Sequence, residues 1–200
     1  MKINEVYTKE EVMDEMNEFF LNEGYLQLKQ FLEPDKIRRI REVLDKNKYF
    51  ELDYKPLEHS KKTLDEKNIV EVEILELLEF LKSSKFTEYL EELLQTELKL
   101  KNISIVKYEH KDYIIINDKQ KNDNTDYLDV IFDITNEWNE EYGGVLTYTD
   151  GEEELLYLNP DFNAVNIIYK DRTIVKYLKY INNKSRDKNI KRVEIKYKIY

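Results

Sequence analysis

The stretch Tyr127 to Tyr169, "YLDVIFDITNEWNEEYGGVLTYTDGEEELLYLNPDFNAVNIIY", decides the fold. It holds four short runs rich in Ile, Val, Leu and Tyr: "YLDVIFDIT", "VLTYTD", "EELLYLN" and "NAVNIIY". Turn-forming "YGG", "DG" and "NP" separate them, as expected of strands joined by tight connections. The texture extends outward in both directions. "LKNISIVKYEH" and "DYIIIND" precede the stretch, and "IVKYLKYI" and "KRVEIKYKIY" follow it. About eight antiparallel strands from Leu98 onward predict a jelly roll, a double-stranded β-helix of two facing sheets. Residues 98–200 form its core. Residues 1–97 read as a helical annex with short strands in the same single domain, supporting one sheet, so the class is α+β.

The annex follows from helical spacing. In "YTKEEVMDEMNEFF" Thr8 and Glu11 spell a capping box, with Val12, Met16, Phe19 and Phe20 at helical intervals. "EPDKIRRIREVLDKN" predicts a helix with Pro34 in its first turn and Ile37, Ile40 and Leu44 on one face. Two more amphipathic helices lie between Val72 and Gln95, parted at Ser83 and Ser84. "YLQLKQFL" and "YFELDY" read as strands, and the segment around Pro56 and His59 as a loop.

Composition narrows the chemistry. There is no cysteine, so neither a disulfide framework nor a thiolate site is available, and a reducing compartment, cytoplasmic or nuclear, is expected. A net charge of −10 argues against nucleic acid as a direct partner, although "YINNKSRDKNIKR" is locally basic. No apolar run reaches bilayer length, and the N-terminal residues do not read as a signal or transit peptide. Glycines number four and form no phosphate-binding loop.

Several motifs in order resemble the Fe(II)/2-oxoglutarate dioxygenases of the prolyl-4-hydroxylase group, including relatives that modify a ribosomal protein. "EGYLQLKQFLEPDKI", "LKSSKFTEYLEELL", "DITNEWNEEYGGVLTY" with Trp138, Gly143 and Gly144, and "PDFNAVNIIY" with Pro160 and Asn163 carry the resemblance. It implies the jelly roll, Fe(II) and 2-oxoglutarate as cofactors, and an arginine for the co-substrate carboxylate, here Arg192. Tyr108, Asp112 and Tyr113 match the segment before the metal ligands. The ligand positions themselves fall on Asn117, Lys119 and Lys176, where the family has two histidines and an aspartate.

An iron site of this type needs two imidazoles and a carboxylate. His110-Lys111-Asp112 spells the His-x-Asp pattern seven residues early, and two residues apart on a strand share a face. No histidine follows His110, and the one other, His59, lies in the annex. Iron bound through His110, Asp112 or Asp118 is the alternative in which the chain remains an active prolyl-hydroxylase-like oxygenase. The leading expectation is a pseudo-enzyme without cofactor that binds a protein or peptide, on the translation machinery by family analogy. A third reading keeps a dicarboxylate on Arg192.

Overall fold

The computed structural model describes residues 1–56, 58–116 and 125–200. Helix α1 spans Glu10–Glu23 and buries Met13, Met16, Asn17 and Phe20. The capping box does not form, because Asn4 caps a 3-10 turn, Glu5–Thr8, that takes up Thr8. Its hydroxyl donates to the Glu5 carbonyl at 3.1 Å, and the helix begins after Lys9 without a side-chain cap. Gly24 ends α1 in the left-handed conformation (φ 72°), the role glycine fills most cheaply. Helix α2, Pro34–Lys46, buries Ile37, Ile40 and Leu44 as the spacing predicts. Helices α3 (Val72–Lys82) and α4 (Ser84–Leu94) meet at Ser83, whose Oγ accepts from the Phe86 N–H at 3.2 Å. Among the described residues no helix is long and apolar enough to cross a membrane.

The strands are β1 (Tyr25–Leu28), β2 (Phe50–Lys55), β3 (His59–Leu64), β4 (Leu98–Tyr108), β5 (Tyr113–Ile114) and β6 (Tyr127–Asp133). They continue with β7 (Leu146–Thr149), β8 (Glu154–Leu158), β9 (Ala164–Lys170), β10 (Val175–Leu178) and β11 (Ile190–Ile199). Every one of the eight runs read from Leu98 onward is a strand, β4 to β11. The ladder is one antiparallel sheet ordered β1-β9-β6-β11-β4-β3-β5-β10-β7-β8, with β2 on the far side of β3. It curls on itself in the jelly-roll manner, because side chains of β6 and β10 touch although β11, β4, β3 and β5 lie between them in the ladder. Strand β3 joins the two halves, pairing Lys62–Leu64 with β4 and His59–Ser60 with β5. His59 is therefore on a strand and not in a loop. "HSKKTL" has no apolar alternation of its own; neighbours on both sides impose the extended form.

Strand periodicity then separates two cores. Leu128, Val130 and Phe132 of β6, with Val193, Ile195 and Tyr197 of β11, pack with α1 to α4. Ile131, Val106, Tyr108, Leu146, Tyr148 and Leu178 fill the barrel between the sheet's halves. The helices thus support one half, as expected.

The scaffold motifs have physical roles. Trp138 Nε1–H donates to the Gly143 carbonyl at 2.9 Å. Gly143 (φ 78°, ψ −148°) lies in a region open only to glycine, and a Cβ there would meet the Tyr180 carbonyl oxygen at 2.2 Å. Buried Asn163 (φ 59°) clamps Leu32: its Oδ1 accepts from the Leu32 N–H at 3.0 Å and its Nδ2 donates to the Leu32 carbonyl at 2.7 Å.

Candidate functional site

The inward face of the curled sheet is polar at its centre. On β6, Asp129 and Asp133 alternate with Ile131; on β11, Arg192 and Glu194 point the same way as these. Strand β10 faces them across the barrel and presents Lys176. Its Nζ lies 2.8 Å from Asp129 Oδ2 and 3.9 Å from Glu194 Oε2. Two tyrosines complete the cluster, Tyr148 donating to Asp129 at 2.9 Å and Tyr108 to Glu194 at 2.8 Å. One layer along, the Arg192 Nε–H donates to Asp133 Oδ2 at 2.7 Å, and both side chains are 1 % exposed. The Thr135 N–H donates to the other Asp133 oxygen at 2.8 Å.

Charges this deep persist only when matched. Burial works against the Lys176 ammonium, but Asp129 and Glu194 outweigh it and hold its pKa above the usual lysine value. Burial likewise works against the Glu194 carboxylate, and Lys176, with smaller help from Lys61, Tyr108 and Arg192, lowers its pKa to about 2. Desolvation drives the Tyr108 and Tyr148 phenols well above their ordinary value, so they remain donors. Burial pushes the Asp133 carboxyl up, against the pull of Arg192 and Thr135. Near the barrel end, Lys196 Nζ lies 3.3 Å over the Tyr127 ring centroid and Lys170 Nζ 4.8 Å from it.

Of the residues singled out in the sequence, Lys176 and Arg192 are brought into this interior. Asn117, Asp118 and Lys119 lie outside the described residues. His110 and Asp112 do not share a strand face: they lie in the turn after β4, where Lys111 has φ 79°. Asp112 is buried and already engaged, accepting from Ser60 Oγ at 2.5 Å and the Glu109 N–H at 2.8 Å. Burial raises its pKa, with Ser60 and Glu109 opposing. His110 sits edge-on to Tyr180 with ring centroids 6.5 Å apart, and His59 Nε2 lies 3.0 Å from Asp53 on β2. Among the described residues no group of three or more His, Cys, Asp and Glu is placed to hold a metal. The basic C-terminal run is largely neutralised, with Lys184 paired to Glu141, Lys188 to Glu137 and Lys191 to Asp45.

The described donors do not fit Fe(II). A protonated amine has no lone pair to give a metal, and Lys176 is held protonated. A dicarboxylate meets a mixed reception at Arg192, whose Nε is taken by Asp133 and whose buried Nη1 has no hydrogen-bond partner among the described residues. The carboxylates of the cluster were not singled out from the sequence, whereas Tyr108 was, as part of the family's motif. Their signal was there: Asp129, Asp133 and Glu194 interrupt apolar strands at alternate positions.

The comparisons place this geometry among known proteins. Residues 2–199 match the family described as "Oxoglutarate and iron-dependent oxygenase degradation C-term". A prolyl 3-hydroxylase OGFOD1 from Xenopus laevis is 30% identical over 92 residues, which is 44% of this chain and 18% of that protein. The Mus musculus OGFOD1 is 44% identical over 50 residues, 24% of this chain and 9% of that protein. The chain thus spans less than a fifth of the length of these curated relatives. Among solved structures, a Trichoplax adhaerens prolyl hydroxylase in complex with a hypoxia inducible factor peptide fragment superposes with a TM-score of 0.73 at 13% identity, covering 99% of this chain and 94% of that one. A Pseudomonas putida prolyl-4-hydroxylase gives 0.65 at 11%, covering 93% and 98%. At such identity these neighbours speak for the fold alone.

The expectation of no cofactor is corrected by these matches. The matched family is described as oxoglutarate- and iron-dependent, so Fe(II) and 2-oxoglutarate are the cofactors of the group. By a match that runs almost end to end, and by the curled sheet that its structural neighbours share, the chain belongs to the oxoglutarate and iron-dependent oxygenase degradation C-term family, with a prolyl-hydroxylase-like fold.

Proposed function

We propose that this member of the family acts by binding a protein or peptide and not by turnover at its own barrel. The observation that carries the reading is the cross-barrel ion pair. Lys176 stands where the resemblance puts the distal imidazole, and its ammonium is committed to Asp129 and Glu194. Exposed aromatic side chains support a contact role, with Tyr54, Tyr157 and Tyr180 each about half exposed. The test is direct. The protein, incubated with excess Fe(II), ascorbate and 2-oxoglutarate, is expected to form no succinate above a metal-free blank. Succinate above that blank, abolished by a chelator, overturns the reading.

One observation favours a second reading, retention of 2-oxoglutarate as a ligand. Arg192 Nη1 is a buried donor with no partner among the described residues, and a carboxylate is the group that satisfies it best. Calorimetric titration of 2-oxoglutarate with and without Fe(II), on the protein and on Arg192→Met, decides this. Heat that vanishes in the variant supports the second reading; no heat in either removes it.

A further inference from the structure

The ladder ends at β8, which pairs with β7 alone. Among the described residues the other edge of β8 has no backbone partner, so it presents a row of open N–H and C=O groups. Edge strands are commonly blunted by a lysine or proline in the strand. "ELLYL" carries neither, although its register with β7 shifts at Leu155, between the Tyr148–Leu156 and Thr149–Glu154 pairs. Leu158 is buried, while Leu155 and Tyr157 each stand 50 % exposed on the outer face. The Tyr157 ring is fixed there by its hydroxyl bond to Glu154 and by Lys179 Nζ, 5.1 Å from its centroid.

Acidic residues bracket this edge. Exposed Asp150, Glu152 and Glu153 precede the strand. At its other end Asn159 Nδ2 donates to Glu140 at 2.8 Å, which places a carboxylate beside the exit of β8.

We propose that the free edge of β8 docks an extended segment of a partner protein, apolar at alternate positions and basic at both ends, added as the next strand. The proposal rests on the reading of the chain as a binding module and names its surface. Main-chain hydrogen bonds give such an addition its affinity, and the alternate side chains and end charges give its selectivity. A second copy of this chain is the wrong occupant. Pairing β8 antiparallel with itself about Leu156 sets Glu152 and Glu153 of one copy beside Glu140 of the other, in chains of net charge −10. Lysines or arginines at both ends of a ligand strand meet those same carboxylates favourably.

The probe is a short synthetic peptide of alternating Val and Thr with paired lysines at each end, titrated into isotope-labelled protein and followed by amide chemical shifts. Shifts are expected to concentrate on β8 and β7. Affinity is expected to fall about tenfold or more on N-methylating alternate peptide amides, on combining Leu155→Lys with Tyr157→Lys, and on raising salt past the range of surface charge attraction. Both substituted side chains are half exposed, so the variant keeps its circular dichroism. Shifts confined to the barrel mouth or the helices overturn this inference and leave the binding reading intact, and absence of binding by the peptide also overturns it. Equal binding of a peptide with glutamates for lysines, or dimerisation abolished by Leu155→Lys, overturns it in favour of a different occupant. Succinate formation in the turnover assay fails the underlying reading instead.

Discussion

Replacing Lys176 by methionine removes the ammonium while keeping most of the stem. What remains is a pair of carboxylates inside the barrel, Asp129 at 5 % and Glu194 at 14 % side-chain exposure. Breaking a buried ion pair by deleting one partner costs on the order of 3–5 kcal/mol, because the surviving charge is uncompensated. Glu194 is lowered to about 2 with Lys176 as the largest stabilising influence, so its carboxylate loses its main support in the variant. The variant is therefore expected to lose about 3–5 kcal/mol at pH 7, a large share of a stability that is typically ~5–15 kcal/mol.

The pH dependence sharpens the test. In the parent protein the folded pKa of Glu194 is depressed, so its contribution is fully present above the unfolded value and is lost as pH falls from about 4.5 toward 2. In Lys176→Met burial acts with its main opponent gone and the folded pKa rises. Protonation then favours the folded variant, which should be more stable at pH 5 than at pH 7. Urea titrations followed by circular dichroism at both pH values measure this. A loss below about 1 kcal/mol with unchanged denaturant slope would refute the reasoning, since that is the worth of a solvated surface pair. So would an equal gap between parent and variant at the two pH values.

Other elements of the fold give sharper local tests. Asn163→Ala leaves the Leu32 N–H and carbonyl unmet in the interior, an expected loss of about 2–4 kcal/mol with faster hydrogen exchange at the Leu32 amide; an unchanged melting temperature contradicts it. Gly143→Ala forces a Cβ against the Tyr180 carbonyl oxygen and should cost at least ~2 kcal/mol, whereas Gly24→Ala, with open space around it, should cost only the left-handed strain of ~1–2 kcal/mol. Equal losses in paired urea titrations rule out the clash. Burial lowers Lys191 to about 8, so between pH 8 and 10.5 the unfolded chain binds more protons and stability rises with pH. The rise is expected to reach about 3 kcal/mol and to be absent in Lys191→Met; parallel pH profiles of the two proteins would exclude it.

The strands of the barrel were legible because each is a short apolar run closed by a turn signal, and a run such as "NAVNIIY" has no competing helical period. The helices were legible from their buried stripes, with Ile37, Ile40 and Leu44 as the clearest case. What failed was local chemistry overridden by neighbours. Thr8 carried a helix-start pattern but was drawn into the turn capped by Asn4. His59 opened a polar, lysine-rich stretch that becomes a strand only because β2, β4 and β5 flank it. Such pairings join residues as far apart as His59 and Ile114 and leave no periodic trace.

The interior carboxylates went unread for a related reason. An amphipathic strand normally turns its apolar side to the core and its polar side to water. In β6 and β11 the apolar side is taken by the helices, and the curl of the sheet closes the polar side inside the barrel. Asp129, Asp133 and Glu194 therefore read as a solvent face by strand pattern alone and become an enclosed one in the fold, beside Arg192, which the resemblance had singled out. Enclosure leaves these charges few partners except one another and whatever the opposite half supplies. Lys176 supplies it from β10, 47 positions from Asp129 and 18 from Glu194, across a gap fixed by strand order and not by local pattern. The resemblance drew attention to Lys176, but its bond to Asp129 required the curl. This is also why the decisive variant lies at Lys176: among the described residues its ammonium crosses the barrel to balance Asp129 and Glu194, which the rest of the strand pattern does not do.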